Sequence, residues 1–242
     1  MSWVLANLPT IAGHLLAHLL QAVPAILTAF VLAIPIARLA RVARPLRAVL
    51  VTGSSLLYAV PSLALFVILP IILATGIRDP LNVIVALTLY GLALLVPATA
   101  DALDAVDARV LDAATAMGMG RLRCFLTVEL PLAGPAILTG LRVVTVSTIS
   151  LTTVGAVLGV RSLGWLFTDG FQRGITAEIV TGLVATAALA LVLDGLVLAL
   201  GRLCLPWTWK RAGATGQVLE ADGASAAGGR EDNGREKRET ES

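Results

Sequence analysis

The chain has 242 residues, of which 57% are hydrophobic and only 14% charged. That balance excludes an ordinary soluble domain and points to a membrane protein. The net charge of +2 conceals a split: beyond Arg211 seven acids face four bases, so the remainder of the chain is basic, and that excess bears on orientation in a membrane rather than on nucleic acid.

Residues 1–18 are mildly apolar, carry no Lys or Arg, and predict an extracytoplasmic or interfacial segment. No basic leader precedes the first apolar run, which is long enough to stay as a span. His14 and His18 share a helix face, but no third ligand stands nearby, so they read as interface histidines rather than a metal site. The first span is expected over residues 19–37, with Pro24 and Pro35 near its ends. Arg38, Arg41, Arg44 and Arg47 then form a basic loop. The second span falls within residues 49–75, a window free of charge and longer than the ~20 residues a bilayer needs. Pro61 and Pro70 lie inside it and predict a kinked or broken helix. A turn at residues 76–80 leads to a third span over 81–100. A fourth lies within 136–160 and a fifth over about 179–200. The fold class is therefore all-α and polytopic, with about five spans in a domain over residues 19–205. A sixth, short N-terminal helix on the membrane surface stays open as an alternative. Residues 206–242 are rich in Gly, Ala and charge and predict a disordered tail, after Trp207 and Trp209 as interfacial anchors. Cys124 and Cys204 are far apart and predict no disulfide.

With five spans, Arg38, Arg41, Arg44, Arg47, Arg109, Arg121, Arg123, Arg202, Lys210 and Arg211 share one side, against Arg78, Arg161 and Arg173 on the other. The bias predicts the N-terminus outside and the C-terminus in the cytoplasm. Within the spans Arg142 and Asp194 are costly in lipid and need partners; pairing with each other is expected, Asp194 with Arg202 being the alternative.

Residues 101–131 are too polar to cross a bilayer. Leu103, Val106, Val110, Ala113 and Met117 recur at helical spacing, predicting a helix over residues 104–117 with Asp101 able to cap its start. Gly118 and Gly120 break it. A second amphipathic piece over residues 122–130 follows before Pro131. The expected product is a helix-turn-helix beside the membrane whose small residues Ala113, Ala114 and Ala116 admit close approach by another protein; the plainer reading is an ordinary amphipathic loop.

The spacing Asp112-Ala113-Ala114, three residues, Gly118, nine residues, Val128-Glu129-Leu130-Pro131 resembles the EAA loop of ABC importer permeases. The acid here is Asp112, where that family usually has Glu. The resemblance implies a cytoplasmic coupling loop in which Asp112, Ala113, Ala114, Gly118, Leu130 and Pro131 meet a separate ATPase. Val60-Pro61-Ser62-Leu63-Ala64-Leu65 in the second span and the turn Gly159-Val160-Arg161-Ser162-Leu163-Gly164 narrow the resemblance to osmoprotectant importers for glycine betaine, carnitine or choline. Arg161 stands where those permeases usually have small residues, at the outer mouth. Permeases for methionine or sulfonates are the alternative. Implied partners are ABC ATPase subunits, a second permease subunit, identical or homologous, and an extracytoplasmic solute-binding protein, with the chain in the inner membrane of a bacterium.

No G-x-x-x-x-G-K-[ST] loop occurs, and the only lysines are Lys210 and Lys237, so no ATPase site, cofactor or metal is expected in this chain; ATP binds a partner. HExxH, GxSxG and CxxC are also missing; a membrane-embedded enzyme would need a cluster of ionisable side chains within the spans, where Asp194 and Arg142 alone qualify, and a non-transporting scaffold is the remaining class. Pro61, Ser62, Thr148, Thr152, Gly159 and Gly164 are candidates to line a translocation path, with helix–helix packing as the plainer role for the hydroxyls. No aromatic cage is expected, because Tyr58, Tyr90, Phe66 and Trp165 are scattered along the chain.

Overall fold

The computed structural model describes residues 2–42 and 44–206, except the side chains of residues 2, 42 and 44–46. The expected anchors Trp207 and Trp209 and almost all of the tail lie outside the described residues. One unit covers Met1–Ala199; of a second, Leu200–Ser242, only the end of the last helix is described.

Among the described residues all regular structure is helical. Helix α1 covers Ser2–Ala6, α2 Leu8–Val42, α3 Arg44–Tyr58, α4 Ser62–Leu73 and α5 Pro80–Asp104. Then come α6 (Ala108–Ala116) and α7 (Arg121–Cys124), a π-helical turn Phe125–Glu129, α8 (Leu130–Thr152), a 3-10 segment Thr153–Leu158, α9 (Trp165–Arg173) and α10 (Thr176–Cys204). Among the described residues four helical stretches are long and apolar enough to cross a membrane, or five if the bent pair α3–α4 is counted as one span.

The first long helix starts at Leu8, well before residue 19, and runs through Pro24 and Pro35. The polar residues that lowered the apolar character of its first half, His14, His18 and Gln21, are buried by packing against other parts of the chain. The second span breaks at residues 59–61, where its two halves are bent by 108°. Pro61 cannot donate a helical hydrogen bond and pushes Val60 toward extended backbone.

Helix α5 is the centre, with α2, α3, α4 and α8 packed on it. Its contact with α2 depends on small residues. Ala22, Ala25, Ala29, Ala33, Ala37 and Ala40 recur every three or four residues on α2 and have no exposed surface. A Cβ on Gly91 of α5 would lie 2.6 Å from the Ala29 Cβ. Such stripes let backbones approach where lipid removes the usual hydrophobic driving force. Around this seam, Phe66 and Leu69 of α4 bury against Val83, Ala86 and Leu87. Helix α10 is the least enclosed of the long helices, with 6% of its most apolar window buried.

The polar loop differs in register from expectation. Helix α5 continues to Asp104, and a break at residues 105–107 precedes α6. Asp107, not Asp101, caps the new helix, its carboxylate accepting from the Arg109 N–H at 2.9 Å. The break uncouples Leu103 and Val106 from the periodicity beyond them. Leu103 is buried in the core, whereas Val110 and Met117 are exposed and Ala114 turns inward.

Candidate functional site

The helical hairpin of α6 and α7 is closed by backbone chemistry legible in its glycines. After Ala116 the chain turns left-handed at Gly118, φ +83°. The Met119 N–H reaches the Ala114 carbonyl at 3.2 Å and the Gly118 N–H the Thr115 carbonyl at 2.9 Å. This paired closure needs a residue tolerant of positive φ. Gly120 follows in extended backbone and starts α7. Asp112 and Ala113 lie on the exposed side of α6 and Ala114 on the inner side. Met117, Leu122 and Leu126, exposed by 73%, 60% and 52%, give the hairpin an apolar outer surface between charged residues. The Arg109 side chain and its N–H hold the Asp107 carboxyl below the usual carboxylate range, so the cap stays ionised at neutral pH.

No separate second piece ends at Pro131. From Arg121 to Leu158 the helical path is continuous, with the π turn before Pro131. Proline has no N–H and its ring crowds the carbonyl four residues back, which a wider turn accommodates. Leu130 packs against a buried cluster that includes Ala37, Leu103, Phe125 and Ala133, and Pro131 sits in the first turn of α8.

The ties from this hairpin to the rest of the molecule are ionic, and the sequence reading missed them by using the arginines only for orientation. Arg41 on α2 pairs with Glu129 in the π turn, donates to the Leu103 carbonyl at 2.8 Å and lies 3.5 Å from Asp104. Arg47 on α3 pairs with the same Asp104. The Arg38 guanidinium sits 4.1 Å over the Phe125 ring. The available signal was an acid inside Val-Glu-Leu-Pro and a basic run with no assigned acids; the separation in sequence hid the pairing.

At the opposite end, the turn at residues 159–164 is held by α2. Gln21 Nε2 donates to the Arg161 carbonyl at 2.7 Å, the Leu163 N–H reaches His18 Nδ1 at 3.4 Å, and His14 stacks on Trp165 with centroids 4.6 Å apart. The histidines are thus buried clasps of a turn, and among the described residues no group of three or more His, Cys, Asp or Glu converges. Gly159 is left-handed at φ +80°, with the Arg78 side chain beside it, and a Cβ on Gly164 would collide with the Thr153 carbonyl. Thr148 and Thr152 are buried, the Thr152 hydroxyl donating to the Thr148 carbonyl at 2.7 Å. Pro61 is exposed at the break between α3 and α4 and Ser62 is half-buried next to it. Pro61 and Ser62 therefore stand at the break and Gly159 and Gly164 in the turn at residues 159–164, while Thr148 and Thr152 are buried within α8; Phe66 and Val160 share one buried cluster.

Arg142 on α8 forks onto Asp194 on α10, with Nε–Oδ1 2.8 Å and Nη2–Oδ2 2.7 Å. Tyr58 and Tyr90 are not scattered: their rings meet edge to face at 6.0 Å, and the Tyr90 hydroxyl donates to the Val60 carbonyl.

Residues 25–209, most of the chain, match the binding-protein-dependent transport system inner membrane component family. The chain belongs to that family. This inner membrane component is 31% identical over 198 residues to the choline transport system permease protein OpuBD of Bacillus subtilis (strain 168), covering 81% of this chain and 86% of that protein. It is 30% identical over 178 residues to the glycine betaine/carnitine/choline transport system permease protein OpuCD of the same organism, covering 73% and 76%. Among solved structures, an inward-facing MetNI methionine ABC transporter superposes with TM-score 0.71 at 20% identity, over 80% of this chain and 95% of that one. That likeness establishes the fold. The matched region begins at Ala25, so the clasp of His14, His18 and Gln21 lies before it.

Proposed function

We propose that this chain is the permease subunit of an ATP-driven importer for glycine betaine, choline or a related quaternary amine. The substrate class is supported by two curated relatives, matched over 86% and 76% of their own length, whose names carry choline and glycine betaine. The methionine alternative has fold likeness at 20% identity behind it, which carries no substrate information.

The single observation behind the mechanism is the exposed hairpin at Gly118, hinged by glycine and tied through Glu129 to Arg41 on α2. In this reading Asp112, Ala113, Ala114 and Gly118 meet an ATPase subunit in the cytoplasm. Closure of two such subunits on ATP shifts the hairpin. Leu130 and Pro131 pass the motion directly into α8, and Glu129 passes it through Arg41 into α2. A second permease subunit, a copy or a homologue, completes the path. A solute-binding protein delivers substrate at the outer turn containing Gly159 and Gly164. ATP chemistry stays with the partner, the N-terminus is outside and the C-terminus is cytoplasmic. Arg142 and Asp194 serve as a structural ion pair that neutralises both charges inside the membrane domain.

The test is uptake by proteoliposomes holding the permease with its ATPase and binding protein. Radiolabelled choline and glycine betaine are expected to accumulate with ATP, and methionine to stay outside. Accumulation of methionine alone refutes the substrate assignment. Gly118→Leu is expected to retain ATP hydrolysis and lose uptake; normal uptake by that variant contradicts the coupling role.

A further inference from the structure

We propose that Tyr58, at the break between α3 and α4, binds the quaternary ammonium head group of the substrate in transit through the membrane. The inference rests on the substrate class proposed above and adds a site within this chain for it.

From Arg47, the last basic residue before the charge-free stretch, to Tyr58 is three turns of helix, or roughly 17 Å. That is about half the ~30 Å hydrocarbon thickness. Here the helix stops. The Ala59 and Val60 N–H groups fold back to the carbonyls of Leu56 and Leu57 at 3.0 and 3.2 Å. Pro61 has no N–H, so this series does not continue to the Tyr58 carbonyl.

Irregular backbone at this depth does not face lipid, because its polar groups would lack partners; it faces protein or a wet cavity. Yet Ala59 and Pro61 are exposed on this chain, and Tyr58 and Val60 are exposed by 49% and 39%. The break therefore faces a water-accessible path or the second subunit across it. Interrupted membrane helices mark solute sites near the midplane in other transporters for the same reason.

The chemistry at the break suits a methylated cation. The end of α3 directs carbonyl dipoles outward, the negative end of a helix. Tyr90, 3% exposed and anchored to the Val60 carbonyl, supports the Tyr58 ring edge to face. Tyr58 thus offers a supported aromatic ring to a cation. From Pro61 an open apolar face of α4 continues past Leu63, Val67 and Ile71, a surface for methyl groups with no cation among its residues to repel the ligand. One ring with a few dipoles binds weakly, as a path that must release its solute requires.

The complete complex, reconstituted with ATPase and binding protein, provides the test. The binding protein captures the substrate and sets KM; the permease site acts on turnover. Tyr58→Phe keeps the ring and is expected to stay within about twofold of wild type. Tyr58→Leu removes it and is expected to lower the maximal rate of choline and glycine betaine uptake about five- to tenfold, with KM unchanged and less uptake per ATP hydrolysed. Tyr58→Trp restores a face and is expected to recover transport, which keeps the proposal open to refutation if the leucine variant fails to assemble. Equal rates in Tyr58→Leu and wild type overturn the site, as does a loss in Tyr58→Phe or Tyr58→Trp as deep as that in Tyr58→Leu. A wild-type complex that moves neither amine overturns the substrate class and the site together, so the two failures are distinguishable.

Discussion

Two glycines in this permease do opposite jobs, and one substitution at each separates them. Gly118 sits at φ +83°, and a Cβ added there would meet nothing within 4 Å, so a side chain costs backbone energy alone, about 1–2 kcal/mol for an ordinary residue. Gly118→Asn, which tolerates left-handed backbone, is expected to couple nearly normally, while Gly118→Val loses uptake per ATP hydrolysed. Gly164 has an ordinary φ of −60°, but its Cβ would strike the Thr153 carbonyl. There even alanine is expected to destabilise the protein, by about 1–3 kcal/mol, as a lower thermal midpoint in detergent. Arg41, the partner of Glu129, also donates to the Leu103 carbonyl, so Glu129→Gln removes the anionic charge of the pair and leaves an amide oxygen as a weaker acceptor. The expected result is normal ATPase docking with reduced uptake per ATP; uptake equal to wild type argues that α2 receives no motion through Arg41. The Asp107 cap adds a pH dependence. Its carboxyl is held below the ordinary range mainly by the Arg109 side chain. Its contribution is therefore complete above the usual carboxylate pKa and disappears as pH falls through the depressed value.

Among the elements, the bent pair α3–α4 and the polar hairpin were legible for the same reason: proline and glycine limit backbone geometry wherever they stand. Pro61 predicted a broken span, and the halves are bent by 108°. Pro61→Ala restores an N–H and is expected to straighten the pair and reduce transport. Cysteine labelling at position 58 measures this as lost accessibility; unchanged labelling and transport would show that packing alone holds the bend. The break at residues 105–107 carried no such mark. Nothing in Ala105-Val106 forbids a helix, and it ends there while Asp107 begins the next one by accepting the Arg109 N–H. Local periodicity ran through a position where side-chain capping had a better bond to offer. The early start of α2 was hidden differently. His14 and His18 look like interface residues until they are seen packed, with Gln21, against the turn at residues 159–164.

For the molecule as a whole, orientation is the consequence with the widest reach. Ten basic residues on one side against three on the other support the proposed cytoplasmic position of the hairpin. A cysteine at Gly118 is expected to react with impermeant reagent only from the inside, and a reporter fused at Gly76 to behave as extracytoplasmic. The reverse pattern would remove the ATPase from reach of the hairpin.

Composition, charge bias and the positions of proline and glycine were enough to establish a helical membrane protein, its spans to within some ten residues, and a polar hairpin. Each depends on the medium or on local backbone geometry, and both act on residues close together in the chain. The folded arrangement alone brought Arg41 to Glu129, 88 residues away, and Gln21 to the Arg161 carbonyl, 140 away, and of the two expected partners of Asp194 it brought Arg142 onto the carboxylate. It also decided that Tyr58 and Tyr90 form a pair, because helix packing brings together residues whose separation in the chain contains no information about distance.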